Sequence, residues 1–183
     1  MINTKYINPY MHDTPKTKYK VKDAKLTADF IGYRDFGKVL DIGCRNPKGE
    51  YFEKYYKIKL DNIVIDLDIG KLYGSYDTVF CFEVIEHLFN PLHLLLEIRK
   101  ILKDNGKLFL TTPRHKPYFL RCKRHFHEFY KVDLVNLIKR AEFKIVRFQF
   151  TRRRELWRWF FGFRPFLRLI FGGTFYIELE KEI

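Results

Sequence analysis

Cysteine is scarce in this chain of 183 residues: Cys44, Cys81 and Cys122 are its three, far apart and without a C-x-x-C pair. That pattern excludes a structural zinc site of the usual kind and fits a reducing compartment. Long apolar runs are absent as well. None approaches the roughly 18 residues that cross a bilayer, and residues 1–24 are polar and Lys/Tyr-rich, without the apolar stretch of a secretory signal. Acids are the minority charge, 22 against 35 bases, for a net charge of +13. The excess favours nucleic acid, anionic lipid or phosphorylated substrates without choosing among them. The expectation is a cytoplasmic protein, soluble or at most peripheral at the inner membrane surface. With 46% hydrophobic and 31% charged residues, the chain is neither a disordered tail nor a membrane bundle.

What is present reads as one domain, 1–183, of strands alternating with helices. Residues 1–30 read as an N-terminal arm or cap, with a short helix over about 23–31. The run G-K-V-L-D-I-G at 37–43 is a buried strand entering a glycine turn, 48–56 a helix, 62–66 a second buried strand and 76–82 a third. The third is apolar on both faces, which suggests a parallel sheet covered on both sides. Asn90-Pro91 opens a helix whose core face is Leu94, Leu95, Ile98, Ile101 and Leu102, and Asn105-Gly106 closes it. Strand 107–112 follows, then a helix around Leu134–Ala141, and two terminal strands, 143–150 and 174–181, that can pair antiparallel. In such sheets ligands bind at the carboxyl ends of the strands, which brings 41–46, 66–68, 82–87 and 112–115 to one rim.

On this rim five strings occur in order: V-L-D-I-G-C at 39–44, V-I-D-L-D at 64–68, F-E-V-I-E-H-L at 82–88, L-K-D-N-G-K-L-F-L-T-T-P at 102–113 and H-F-H-E-F at 125–129. Together they resemble the class I S-adenosylmethionine-dependent methyltransferases, in particular the small-molecule group with an E-V-x-E-H-L motif, over residues 35–150. The resemblance implies a doubly wound, mostly parallel Rossmann-like α/β sheet with an antiparallel last strand. It also implies S-adenosylmethionine as cofactor, held by Asp41, Gly43, Cys44, Asp66, Phe82 and Glu83. The physical roles agree. A glycine after a buried strand lets the backbone pass close to a ligand. A carboxylate ending the next strand can accept both hydroxyls of a ribose, and Asp66 lies 25 positions after Asp41. Asp68 stands in reserve.

Two departures from the family pattern stand out. Arg45 replaces a glycine; its cation either points outward or meets the methionine carboxylate of the cofactor, while Asn46 can tolerate a left-handed conformation. Only ten positions separate Asp66 from Tyr76, too few for a crossover with its own helix. The sheet is therefore expected to be shortened by loss of the usual outer strand and helix, with strand 62–66 at its edge.

The chemistry expected is attack of an acceptor, most readily an oxygen, on a sulfonium methyl. It needs alignment and removal of one proton. His87 is the candidate base, with Glu86 beside it. The string Glu83-x-x-Glu86-His87 also resembles the metal site of small-RNA 2′-O-methyltransferases and ubiquinone O-methyltransferases, with His125 or His127 completing it. A divalent metal is thus an alternative means of activation, not the favoured one. His115 is a candidate substrate contact, and His93 and His12 read as surface residues. Residues 152–173 form a basic aromatic insertion with six arginines, two Trp and five Phe. It reads either as a crossover packed on the sheet or as contact with an anionic membrane surface. The acceptor is then a small-molecule or lipid-linked substrate. The rival readings are a catalytically degenerate basic binding module and, less favoured, a nucleic-acid binder.

Overall fold

The computed structural model describes residues 18–152, 167 and 170–182, and the side chains from 23 onward. The arm before residue 18, with His12, and most of the basic aromatic insertion at 152–173 lie outside the described residues.

Helix α1 (Lys18–Ile31) leads into β1 (Val39–Ile42), α2 (Pro47–Tyr56), β2 (Leu60–Ile63), β3 (Tyr76–Phe82), α3 (Pro91–Ile101), β4 (Leu102–Pro113), α4 (Lys131–Arg140), β5 (Phe143–Thr151) and β6 (Thr174–Lys181). The strand order is β2-β1-β3-β4-β6-β5. The first four strands run parallel; β6 is antiparallel to both β4 and β5.

Alternation along the strands sorts the core into two layers, because successive side chains point to opposite faces. Val79, Cys81, Leu108, Leu110, Ile177 and Leu179 face α3 and α4, which supply Leu94, Leu95, Ile98, Leu134 and Ile138 to an aliphatic layer. Phe80, Phe109 and Tyr176, from alternate positions of the same strands, face α1 and α2 and meet Ala28, Phe30, Ile31, Phe52 and Tyr56. Much of the chain's aromatic content is spent in this second layer, where Phe52, Phe80 and Phe109 are fully buried. Each such side chain contributes roughly 2–3 kcal/mol by leaving water. Glu178, on β6, ties the loop after α1 to β5. Its buried carboxylate accepts from Arg34 Nη1 and Arg147 Nε, both at 2.6 Å.

Two elements differ from the sequence reading. The pattern carries α3 through Leu102 to a stop at Asn105-Gly106, yet the helix ends at Ile101. Leu102 is extended (φ −74°, ψ 134°) and pairs with Tyr76. The ladder then shifts register and resumes at Thr78 opposite Lys107, while Lys103 Nζ reaches Asp77 Oδ1 at 2.7 Å. Strand pairing thus captures residues that helical periodicity assigned to α3. The second strand is Leu60–Ile63 rather than 62–66. Its start is held by Leu60 N donating to Glu53 Oε1 at 3.1 Å. Its end is set by β1, whose last residue, Ile42, pairs with Ile63.

The expected shortening is present. Among the described residues β2 is an edge strand, and no regular helix lies between Asp68 and Tyr76. The short link is fastened to α3 instead. Leu72 N donates to Glu97 Oε2 at 3.0 Å, Asn90 N donates to Asp68 Oδ1 at 2.7 Å, and His93 Nε2 lies 2.8 Å from the Gly70 carbonyl. His93 is therefore a half-buried clamp, not the surface residue its position on a helix suggested.

Candidate active site

The carboxyl ends of β1 and β3 lie side by side, since Asp41 is opposite Phe80. Beyond β1 the chain turns at Gly43 with φ +112°, a region that L side chains rarely adopt. Asn46 is not left-handed as the sequence reading allowed. It is extended (φ −145°) and caps α2. Its Oδ1 accepts from the amides of Lys48 and Gly49 at 3.0 and 3.1 Å, and its Nδ2 donates to the Cys44 carbonyl at 3.0 Å. The sequence reading missed this cap, although Asn46-Pro47 repeats the Asn-Pro signal that located α3. The turn packs on Asp41, whose Oδ2 would lie 3.1 Å from a Cβ at Gly49. Burial pushes the Asp41 carboxyl up to about 7 against the opposing pull of Lys48, Asn62 and Asn46.

Arg45 points outward. Its guanidinium pairs with Glu53 and Glu50 on α2 and is more than half exposed. The alternative in which it meets the cofactor carboxylate is not the one adopted.

Asp66 does not end a strand. It lies three residues beyond β2, whose last residue forms a bridge with Gly43. It opens a tight turn: Oδ1 accepts from Asp68 N at 3.0 Å and its carbonyl from Gly70 N at 2.7 Å. A Cβ at Gly70 would approach that carbonyl to 2.4 Å, so the turn requires glycine there. Asp68 is engaged by the Asn90 amide and fixes the link.

At the end of β3, Phe82 lies under the Lys48 ammonium, 4.4 Å from the ring centroid. Glu83 follows with φ +57°, uncommon for a side-chain-bearing residue, and its amide donates to the Thr111 carbonyl at 2.9 Å. Such backbone conformations cost roughly 1–3 kcal/mol and concentrate at functional sites. The turn Ile85–His87 then buries Glu86 completely. Its Oε2 accepts from Thr112 Oγ1 at 3.0 Å, and its Oε1 has no hydrogen-bond partner among the described residues. Burial, and then the nearby Glu83, raise the Glu86 carboxyl well above the ordinary range.

His87 has Nδ1 2.9 Å from the Arg124 carbonyl. A carbonyl only accepts, so Nδ1 carries the proton and Nε2 presents a lone pair, 4.0 Å from Glu86 Oε1. Burial lowers the His87 pKa. The His125 ring stands nearly perpendicular to it at 4.9 Å between centroids. Glu86, His87 and His125 each bring a ligand atom within 4.8 Å of the others; Glu83 is not part of this group.

Behind His125 stands a residue that the sequence reading quoted without assigning a role. Glu128 is buried and accepts from His125 Nδ1 at 3.1 Å, Lys116 Nζ at 2.8 Å, and the amides of Lys116 and Cys122. Burial alone would raise its pKa, but the bonds from His125 and Lys116 prevail and hold it at about 2. His127 stacks on Phe129 and faces the Phe89 carbonyl, so it does not join the histidine pair. His115 stacks on Tyr130 at 4.0 Å between centroids. All three cysteines are free, and none of the helices among the described residues is long and apolar enough to cross a membrane.

Comparison with known proteins bears on the fold and the family. Over 44 residues the chain is 43% identical to a ubiquinone biosynthesis O-methyltransferase of Xanthomonas euvesicatoria pv. vesicatoria; the stretch is 24% of this chain and 18% of that protein. A SAM-dependent methyltransferase from Archaeoglobus fulgidus superposes with a TM-score of 0.64 at 15% identity, covering 88% of this chain and 94% of the other. The 1,6-didemethyltoxoflavin-N1-methyltransferase of Burkholderia thailandensis, solved with bound 1,6-didemethyltoxoflavin and S-adenosylhomocysteine, superposes at 0.59 with 12% identity, covering 92% and 80%. The two solved structures share the fold rather than the sequence. The family model described as "Methyltransferase domain" matches residues 16–148, most of the chain, so the chain belongs to the methyltransferase-domain family.

Proposed function

We propose that the protein transfers a methyl group from S-adenosylmethionine to an oxygen of a small-molecule or lipid-linked acceptor. The observation that carries this reading is His87, its Nδ1 anchored on a backbone carbonyl and its Nε2 lone pair beside the buried Glu86, at the end of the strand adjoining the glycine turn. The cofactor would lie along the ends of β1 and β3. The open backbone at Gly43 and Cys44 faces its methionine portion, with Asp41 buried beneath the turn, and Phe82 and Glu83 line the opposite side. Asp66 would offer the ribose the oxygen that its own turn does not use.

In this arrangement the reaction needs the acceptor oxygen held in line with the sulfonium methyl while His87 Nε2 takes its proton. A lowered pKa keeps His87 neutral, and so able to accept a proton, at neutral pH. Glu86, with its raised pKa, keeps its own proton to higher pH and can present a hydroxyl at the same place. The likeness to an O-methyltransferase supports oxygen as the acceptor atom. Replacement of His87 by Gln should abolish turnover while leaving S-adenosylhomocysteine affinity within twofold. A variant that still turns over at the wild-type rate would remove His87 as base.

A second reading rests on the unpartnered, buried Oε1 of Glu86. One oxygen and two imidazoles within 4.8 Å fit a divalent cation of borderline hardness, and Glu128 supports His125 from behind. Glu86, His87 and His125 would hold it, and it would lower the pKa of the acceptor hydroxyl. Loss of turnover in chelator, restored by Mg²⁺, Mn²⁺ or Zn²⁺, selects this reading; full activity in chelator rejects it. Cytoplasmic location, at the inner membrane surface, is part of the same proposal.

A further inference from the structure

Between Arg114 and Phe129, which share a bridge, the chain leaves the sheet and returns beside the carboxyl ends of β3 and β4. Its fixed groups point inward. Leu120 is buried, the amides of Phe126 and His127 donate to the Glu86 carbonyl at 2.8 and 3.1 Å, and the Arg124 carbonyl holds His87. The only acid from 114 to 131 is Glu128, which is buried and engaged by Lys116 and His125. What this segment turns to solvent is therefore aromatic and cationic. Tyr118 is 88% exposed and Phe126 48%, and Phe89, from the loop before α3, is 71% exposed and stacks on Phe126 at 3.9 Å. Lys123 is exposed, and Arg121, partly so, reaches the Phe126 carbonyl with its Nη2 at 3.5 Å.

Rings as exposed as Tyr118, Phe126 and Phe89, on and against a segment whose one acid is buried and engaged, mark a surface that meets something else. We propose that segment 114–131, together with Phe89, docks on an anionic bilayer. There the rings would sit at headgroup depth, the cations would meet lipid phosphates, and the cleft of Glu86, His87 and His125 would open toward the membrane. The inference rests on the lipid-linked acceptor reading and adds to it the surface that delivers such an acceptor. Charge complementarity commits it to anionic lipid, and aromatic side chains with Lys and Arg are the residues favoured at that interface. A single-stranded nucleic acid, which would stack its bases on such rings, is the competing occupant that the test separates.

The test is co-sedimentation of the full chain with phosphatidylcholine–phosphatidylserine vesicles and with phosphatidylcholine alone. S-adenosylhomocysteine titration of every variant reports its folding. Each basic residue near such a surface is worth about a fivefold change in partition. Arg121→Gln with Lys123→Gln should therefore weaken binding about 25-fold, and Phe89→Ser with Phe126→Ser at least tenfold. Tyr118→Ser, at a side chain almost wholly in solvent, should weaken binding without touching the fold. If the wild type ignores anionic vesicles, both this inference and the lipid-surface reading fail. If it binds and all these variants bind equally, this surface is wrong, while the lipid reading survives through the arginines of 152–154. Preference for single-stranded RNA over the vesicles, with a steep loss in salt, would overturn the proposal in favour of a nucleic-acid surface.

Discussion

Replacing Glu128 by Gln should destabilise the protein strongly at neutral pH and barely at all in acid. The carboxylate is buried under the rim and accepts four hydrogen bonds, from His125 Nδ1, Lys116 Nζ and the amides of Lys116 and Cys122. Burial opposes ionisation, yet these donors hold the pKa at about 2, against an ordinary 4.5. At about 1.36 kcal/mol per unit, the difference corresponds to roughly 3 kcal/mol of native-state stability. A folded pKa below the unfolded one gives stability that is present above pH 4.5 and drains away as pH falls toward 2. Gln preserves the shape but leaves the largely buried Lys116 ammonium without its counter-charge. Urea unfolding should show the variant about 2–4 kcal/mol less stable at pH 7, a midpoint shift on the order of 1–2 M for a domain of this size. The gap should narrow steadily between pH 5 and pH 2. Equal midpoints at pH 7, or a gap that stays constant down to pH 3, would refute the view of Glu128 as the anion that holds Lys116 and His125 in place.

Asp66→Ala should weaken S-adenosylhomocysteine binding by roughly 1–3 kcal/mol, the scale of a lost charge-assisted hydrogen bond, in calorimetric titration. Unchanged affinity would pass the ribose to Asp68. Asp41 has the opposite sign to Glu128. Its folded pKa, about 7, lies above the ordinary 3.8, so the wild type loses stability as pH rises through that interval. Thermal melts should show Asp41→Asn gaining on the wild type from pH 4 to pH 8, and a difference that does not change with pH would contradict this.

The sequence by itself determined the strands that are apolar on both faces and the helices with a single apolar stripe. β3 and β6 have the bounds their composition announced, because a buried strand and its turn signals are local. The shortened edge was legible for the same reason: chain length between Asp66 and Tyr76 is a local quantity, and ten residues cannot build a crossover. The candidate residues Glu86, His87 and His125 were grouped through the family resemblance, with Glu83 included and His127 as the alternative to His125. Only the tertiary structure decided that His125 faces His87 while His127, two residues on, stacks on Phe129. The direction of a side chain after a turn depends on which backbone groups the segment meets across space, here the Glu86 and Arg124 carbonyls. Arg45 was open in the sequence for a similar reason. Its direction is settled by Glu50 and Glu53, which reach it only once α2 is formed and packed. The end of α3 was misread because helical periodicity and strand pairing compete for Leu102. Pairing wins through Tyr76, 26 residues earlier in the chain. No local pattern carries information about a partner at that distance, and so the boundary between helix and strand belongs to the fold rather than to the sequence around it.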